Sequence, residues 1–179
     1  MKLIILALCT FIISAITFVY HSFSSSPSIC LIPEGYTGDI YIVYDQPEGM
    51  EKQYEGNSRV YAIPPTGVLF TRFGASYNQA GEQYYYVSPG GHRTKITQLS
   101  TGDFNEPWSY VRNAKEPSRN NAAIIDGGVI WSIISAKTSY DYEQAFAGSY
   151  NQFMSHKPIT LSYIDSLRNI CLQQGSNIK

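Results

Sequence analysis

The chain has 179 residues, a formal net charge of -1 and only 15% charged side chains. Its 13 Lys and Arg are scattered singly, which excludes the basic stripe that phosphate-backbone binding needs, so no nucleic acid is expected as a partner. Tyr is the outlier at 15 copies, and a side chain with an apolar ring and a polar tip points to β-strands and to surfaces that bind sugars, peptides or proteins.

Residues 3–20 form an apolar run behind Met1-Lys2, interrupted only by Thr10, Ser14 and Thr17. Such a run is an export signal, between a cleavable signal and a retained membrane anchor in length. Lys2 is the only Lys or Arg before Lys52, so the N-terminus is expected to stay inside and the rest to cross the membrane. Ser22-Phe23-Ser24 offers a small-x-small cleavage pattern with bulky neighbours, leaving two destinations open: anchored to the cytoplasmic membrane facing outward, or secreted or periplasmic after cleavage. The expected organisation is a signal or anchor (residues 1–21), a Ser-rich tether (22–29), a single β-rich domain (30–175) and a tail (176–179). With Cys9 inside the leader, Cys30 and Cys171 bracket the domain. In an oxidising compartment the pair reads as a disulfide, worth about 4–5 kcal/mol in the chain-entropy model, with two buried free thiols as the alternative.

Turn chemistry over residues 32–38 hands over to a strand at 39–44, with Ile40, Ile42 and Tyr44 on one face and Tyr41 and Val43 on the other. Residues 59–63 and 68–73 read as strands joined by Pro64-Pro65-Thr66-Gly67, a hairpin or tight corner. Residues 84–87 and 94–99 flank Ser88-Pro89-Gly90-Gly91-His92 as a hairpin, with Tyr85, Val87, Thr94 and Ile96 expected inward. Residues 100–121 read as a long ordered loop, with room for one short helix and with Trp108 and Tyr110 as packing anchors. Asp126-Gly127-Gly128 then carries a hairpin signature between two apolar runs, expected to be the most deeply buried part. Helical spacing is read in residues 141–154 (Tyr142, Ala145, Phe146, Tyr150, Phe153) and again after Pro158 (Leu161, Ile164, Leu167, Cys171), with Gly175 as a stop. The fold class expected is α+β: an antiparallel β-sandwich-like sheet with one or two C-terminal helices.

Three phrases together resemble a family of uncharacterised exported bacterial domains. They are Ile32-Pro33-Glu34-Gly35-Tyr36-Thr37-Gly38 running into Ile40-Tyr41-Ile42-Val43-Tyr44, then Glu55-Gly56-Asn57-Ser58-Arg59-Val60-Tyr61 with Ile63-Pro64, and residues 84–87 with Arg93-Thr94-Lys95-Ile96. Ala147-Gly148-Ser149-Tyr150 echoes the family's C-terminal part. The resemblance implies export and a β-rich fold and carries over no catalytic residue. Family members often follow a lipobox, whereas Ile29 precedes Cys30 here and Leu8 precedes Cys9.

No metalloprotease, nucleophile-elbow or phosphate-loop motif is present, and no cofactor is expected. His92 and His156 read as solvated loop residues. The acids Glu34, Asp39, Asp45 and Glu48 match no calcium-loop spacing, and turn-forming Asp accounts for Asp45 and Asp126. The remaining candidate is a polar and aromatic binding surface of Tyr36, Gln46, Asn57, Arg59 and Tyr84. The expected function is a non-catalytic envelope module that binds a protein, peptide or glycan and meets the membrane through residues 3–20. The rivals are an envelope hydrolase using acidic residues and a structural or inhibitory partner of another exported protein.

Overall fold

The computed structural model describes residues 27–76, 81–110, 112–134 and 139–176; the apolar leader lies outside them. Among the described residues no helix is long and apolar enough to cross a membrane. The fold is α+β, two five-stranded sheets with two C-terminal helices. The strands are β1 (Ser28–Pro33), β2 (Gly38–Val43), β3 (Gln53–Glu55), β4 (Ser58–Ala62), β5 (Val68–Phe70), β6 (Gln83–Val87), β7 (Arg93–Ile96), β8 (Gln98–Leu99), β9 (Ala123–Ile134) and β10 (Ser139–Gly148). The helices are α1 (Tyr150–Ser155) and α2 (Leu161–Ser176).

The first sheet is ordered β3-β4-β1-β6-β7 and the second β5-β2-β10-β9-β8. The sheets are mixed rather than antiparallel. Strand β1 is parallel to β4 and β6, β2 to β5, and β8 to β9, while β10 is antiparallel to β2 and β9. The route of the chain explains this. It leaves β1 for β2 in the opposite sheet, returns for β3 and β4, leaves again for β5 and returns for β6 and β7. Parallel neighbours need a crossover between them; for β1, β4 and β6 and for β2 and β5 the opposite sheet supplies it, and for β8 and β9 the long loop over residues 100–122 does.

The alternation expected around β2 sets the layers. Ile40, Ile42 and Tyr44 pack between the sheets with Cys30, Ile32, Tyr61 and Tyr84. Tyr41 and Val43 face outward onto Ile164 of α2. Ser28 and Ile29 belong to β1, so the domain begins inside the segment read as a tether.

Several expectations change. Pro64-Pro65-Thr66-Gly67 is the corner by which the chain changes sheet, since β4 and β5 lie in different sheets. The β6–β7 hairpin forms with Ile96 inward as expected, but the phase of β6 is reversed. Tyr84 lies opposite Ile96 and Tyr86 opposite Thr94, so Tyr84, Tyr86 and Ile96 meet the core while Tyr85 and Val87 do not. Asp126-Gly127-Gly128 is no hairpin but a bulge within the single strand β9: these three residues lie opposite Ala145 alone. Ile124 and Ile125 are buried as expected, yet Val129 and Trp131 beyond the bulge are exposed.

Of residues 141–154, read as helical, those up to Gly148 belong instead to β10. Phe146 and Tyr142 pack on the outer face and Ala145 and Ala147 on the inner one, so both faces are apolar and the period of two is lost. Helix α1 begins only at Tyr150, where Ser149 and Gln152 make a reciprocal capping box. In the long loop Trp108 and Tyr110 are 65% and 103% exposed and anchor nothing. The anchor is Phe104, stacked on Tyr150 at 3.6 Å, with Arg119 bonded to Glu106 at 2.7 Å and to Glu116 at 2.6 Å.

Candidate functional site

Two regions carry chemistry, one on each face of the second sheet around the β9 bulge. On the inner face, Glu143 of β10 is buried, as is Tyr84 of β6 opposite it. The Tyr44 hydroxyl donates to Glu143 Oε2 at 2.8 Å. The Tyr84 hydroxyl lies 3.2 Å from Glu143 Oε1 and 3.0 Å from Glu82 Oε2. A phenol has one proton, so it cannot donate to both carboxylates at once. Burial first, and the facing Glu143 second, raise the Glu82 pKa to about 7. A protonated Glu82 donates to the Tyr84 oxygen, Tyr84 donates to Glu143, and Tyr44 donates to Glu143 from the other side. Both phenols then donate to Glu143, while Glu82 Oε1 is left buried without a hydrogen-bond partner among the described residues.

The bulge closes this cluster. A Cβ at Gly127 would lie 2.6 Å from the Tyr84 oxygen, and one at Gly128, where φ is +84°, would lie 2.6 Å from Glu82 Oε2. The positive φ at Gly128 and the close approach of Gly127 to the buried Tyr84 ring favour glycine at both positions. Gln98 Nε2 donates to the Gly127 carbonyl at 2.8 Å, and Asp126 Oδ1 accepts from Thr101 N at 2.9 Å, which ties the bulge to the turn after β8.

On the outer face α2 covers Tyr41, Val43 and Tyr140 at one end of the sheet, while α1 and Phe104 cover Ile125 and Phe146 at the other. Beside α1 and the turn after β8 runs an open groove of about 680 Å³ lined by residues that include Val129, Trp131, Gln144 and Phe153, with Asp39, Asp103 and Asp126 as its charged members. No Lys or Arg is among the lining residues. Trp131 is 55% exposed there. Asp39 holds the segment between the helices: its Oδ2 accepts from Ile159 N at 2.7 Å, and its Oδ1 lies 3.1 Å from His156 Nε2. The other ring nitrogen of His156 faces the Phe153 carbonyl, so this histidine is a structural tie rather than the solvated residue expected.

The residues proposed from sequence as a binding surface are distributed differently. Tyr36 donates to the Asp39 carbonyl beneath Gly67, and its pKa is pushed up to about 12, chiefly by burial. Gln46 is buried, donates to the Tyr44 carbonyl at 2.6 Å and accepts from Arg168 Nε of α2 at 2.7 Å. Arg59 donates to the Gly74 carbonyl at 2.7 Å and lies over the Phe73 ring. Tyr84 belongs to the buried carboxylate cluster. Asn57 alone of the five is exposed, in the β3–β4 turn. Four of the five therefore make internal bonds, and the set forms no common patch.

Cys30 and Cys171 are free thiols rather than the expected disulfide. Cys30 packs between the sheets and Cys171 packs outside the second sheet under α2, so a whole sheet separates them. A bridge needs Cα atoms within about 7 Å. Burial, and then Glu143 and Glu82, push the Cys30 pKa well above its usual value, which keeps it an inert thiol. Among the described residues no group of three or more His, Cys, Asp or Glu is placed to hold a metal.

Residues 24–127 match the family of unknown function DUF6843. The chain belongs to that family. No curated protein matches the chain. Among solved structures the chain is similar to a "Putative Lipoprotein from Bacillus anthracis", at 18% identity and a TM-score of 0.53, covering 84% of this chain and 94% of that one. At that identity the likeness speaks for the fold alone.

The sequence reading missed the groove because it took residues 122–135 for a buried hairpin. The signal was available in Val129 and Trp131, two apolar residues on one face directly after a Gly-Gly pair that disrupts the ladder.

Proposed function

We propose that this DUF6843 member is an exported, envelope-associated binding module whose ligand occupies the groove on the outer face of the second sheet. The observation that carries the reading is the groove between α1 and the turn after β8, where Val129 and Trp131 lie open beside a lining whose charges are all acidic. A concave apolar surface with a few convergent polar groups is the ordinary form of a ligand site, and an exposed Trp is an effective anchor in one. Export is supported by the apolar leader at residues 3–20 and by the lipoprotein naming of the structural neighbour. Glu82 and Glu143 suit a structural role better than a hydrolytic one, because neither lines the groove, Gly128 lies against Glu82, and Gly127 lies against the Tyr84 hydroxyl that sits between the two acids.

The test is titration of the full chain with soluble envelope fragments, glycan and peptide separately, followed by calorimetry. Trp131→Ala should weaken binding at least about tenfold, as for a moderate hot spot, and Asn57→Ala should leave it unchanged. Weakening by Asn57→Ala with no effect of Trp131→Ala would move the site to the tyrosine-rich turns.

A further inference from the structure

The groove borders a strand edge that has no neighbour among the described residues. Strand β9 pairs with β10 along its length, but on its other side β8 covers only Ile124 and Ile125. Among the described residues no strand pairs with that side from residue 126 to 134. Residues 129–134 read Val-Ile-Trp-Ser-Ile-Ile. This edge carries no charge, no proline and no further bulge, and so lacks the devices that usually protect an open edge from pairing.

Resting on the groove reading, we propose that the site takes an extended peptide of basic and apolar composition, added as a sixth strand alongside β9. Unpaired backbone N–H and C=O groups in a row are complementary to another extended backbone and to little else, which selects a peptide over a glycan. At about 3.3 Å per residue the open edge spans roughly 20 Å, enough for a peptide segment of about six residues. Val129 and Trp131 stand on the same face two positions apart, opposite Gln144 and Tyr142, so alternate side chains of an added strand would descend into the groove beside them. There they meet Asp103 and Asp126, which selects Lys or Arg at one or more of those positions. A second copy of this chain is a poorer occupant, because its own β9 edge offers no cation to that rim.

The test selects random peptides of about eight residues, long enough to cover the edge, against the full chain held in detergent. Enriched peptides should alternate apolar residues with Lys or Arg. N-methylation of one alternating set of amides in an enriched peptide should weaken binding at least about tenfold, and methylation of the other set should be tolerated, because only one set faces the partner strand. Asp103→Asn with Asp126→Asn should erase the preference for basic residues while the far-UV circular dichroism stays unchanged. Absence of enrichment, enrichment of acidic sequences, or indifference to both methylation sets would overturn strand addition, as would a concentration-dependent dimer that buries the β9 edge. Binding that depends on Trp131 but ignores methylation would leave the groove reading standing and remove this one; binding indifferent to Trp131 as well would remove both.

Discussion

The two faces of the second sheet use the same residue types for opposite ends. On the inner face Glu143, Tyr44 and Tyr84 satisfy one another between the sheets. On the outer face, past the bulge, Asp103, Asp126 and Trp131 line a surface that nothing among the described residues covers. A buried carboxylate must find hydrogen-bond donors or a proton, whereas an exposed one keeps its charge at little cost. The difference teaches that density of tyrosine and acid is no guide to a site until each side chain is assigned to a face. The β9 bulge stands at the boundary: its glycines lie against Tyr84 and Glu82 of the inner cluster while Asp126 and Gly127 line the groove.

The sharpest way to break the inner face is Phe73→Ala. Phe73 is buried with edge contacts to Tyr54 and Tyr61 and with Arg59 over its ring. Its truncation should cost about 3–5 kcal/mol in denaturant unfolding, the range for a deleted core aromatic. Asp39→Ala comes next. It strips the Ile159 amide and His156 of their acceptor where the linker between α1 and α2 docks. Loss of about 2–3 kcal/mol is expected, and Asp39→Asn should recover part of it, because one acceptor oxygen remains.

Smaller still is the pH effect of Glu82. Its folded pKa of about 7 lies above the ordinary carboxylate value, so the native state holds a proton that the unfolded chain has released. Stability from this group is full below about pH 4.5 and falls as pH rises through about 7, after which it levels. Its partial exposure screens the effect, and we expect a decline of roughly 1–2 kcal/mol between pH 5 and pH 8. Glu82→Gln should flatten that slope, measured by urea unfolding across the range; a slope that persists unchanged would assign it elsewhere. On the outer face Trp131→Ala should change stability by less than about 1 kcal/mol, since the ring is more than half exposed. A larger loss would mean that the ring supports the fold and is not held for a ligand.

How much could be read from the chain differed between the same faces. Strand β2 was plain because Ile40 and Ile42 go to one layer and Tyr41 and Val43 to another, and both helical segments after Gly148 were visible in part. Strand β10 was not, since its two apolar faces imitate a helix. Strand β1 escaped because Ser-Ile-Cys-Leu-Ile-Pro ends in a proline that suggests a turn, although a strand tolerates Pro at its end. The phase of β6 was misjudged because Tyr84, Tyr85 and Tyr86 are identical in type, and only the pairing of Tyr84 with Ile96 decides which rings turn inward. Val129 and Trp131 after the Gly-Gly pair hint at an exposed apolar face, but the walls of the groove, α1 and the turn after β8, come together by packing between distant segments that no local pattern encodes.

Amide hydrogen exchange, resolved by residue on the full chain with and without a selected peptide, tests the contrast between the faces most directly. Residues 40–43 should exchange slowly in both states, while the amides of residues 129–134 that point away from β10 should exchange quickly alone and slow by at least about tenfold when the peptide binds. Protection that appears instead at Tyr36, Asn57 and the turns of the first sheet, with residues 129–134 unchanged, would contradict the account.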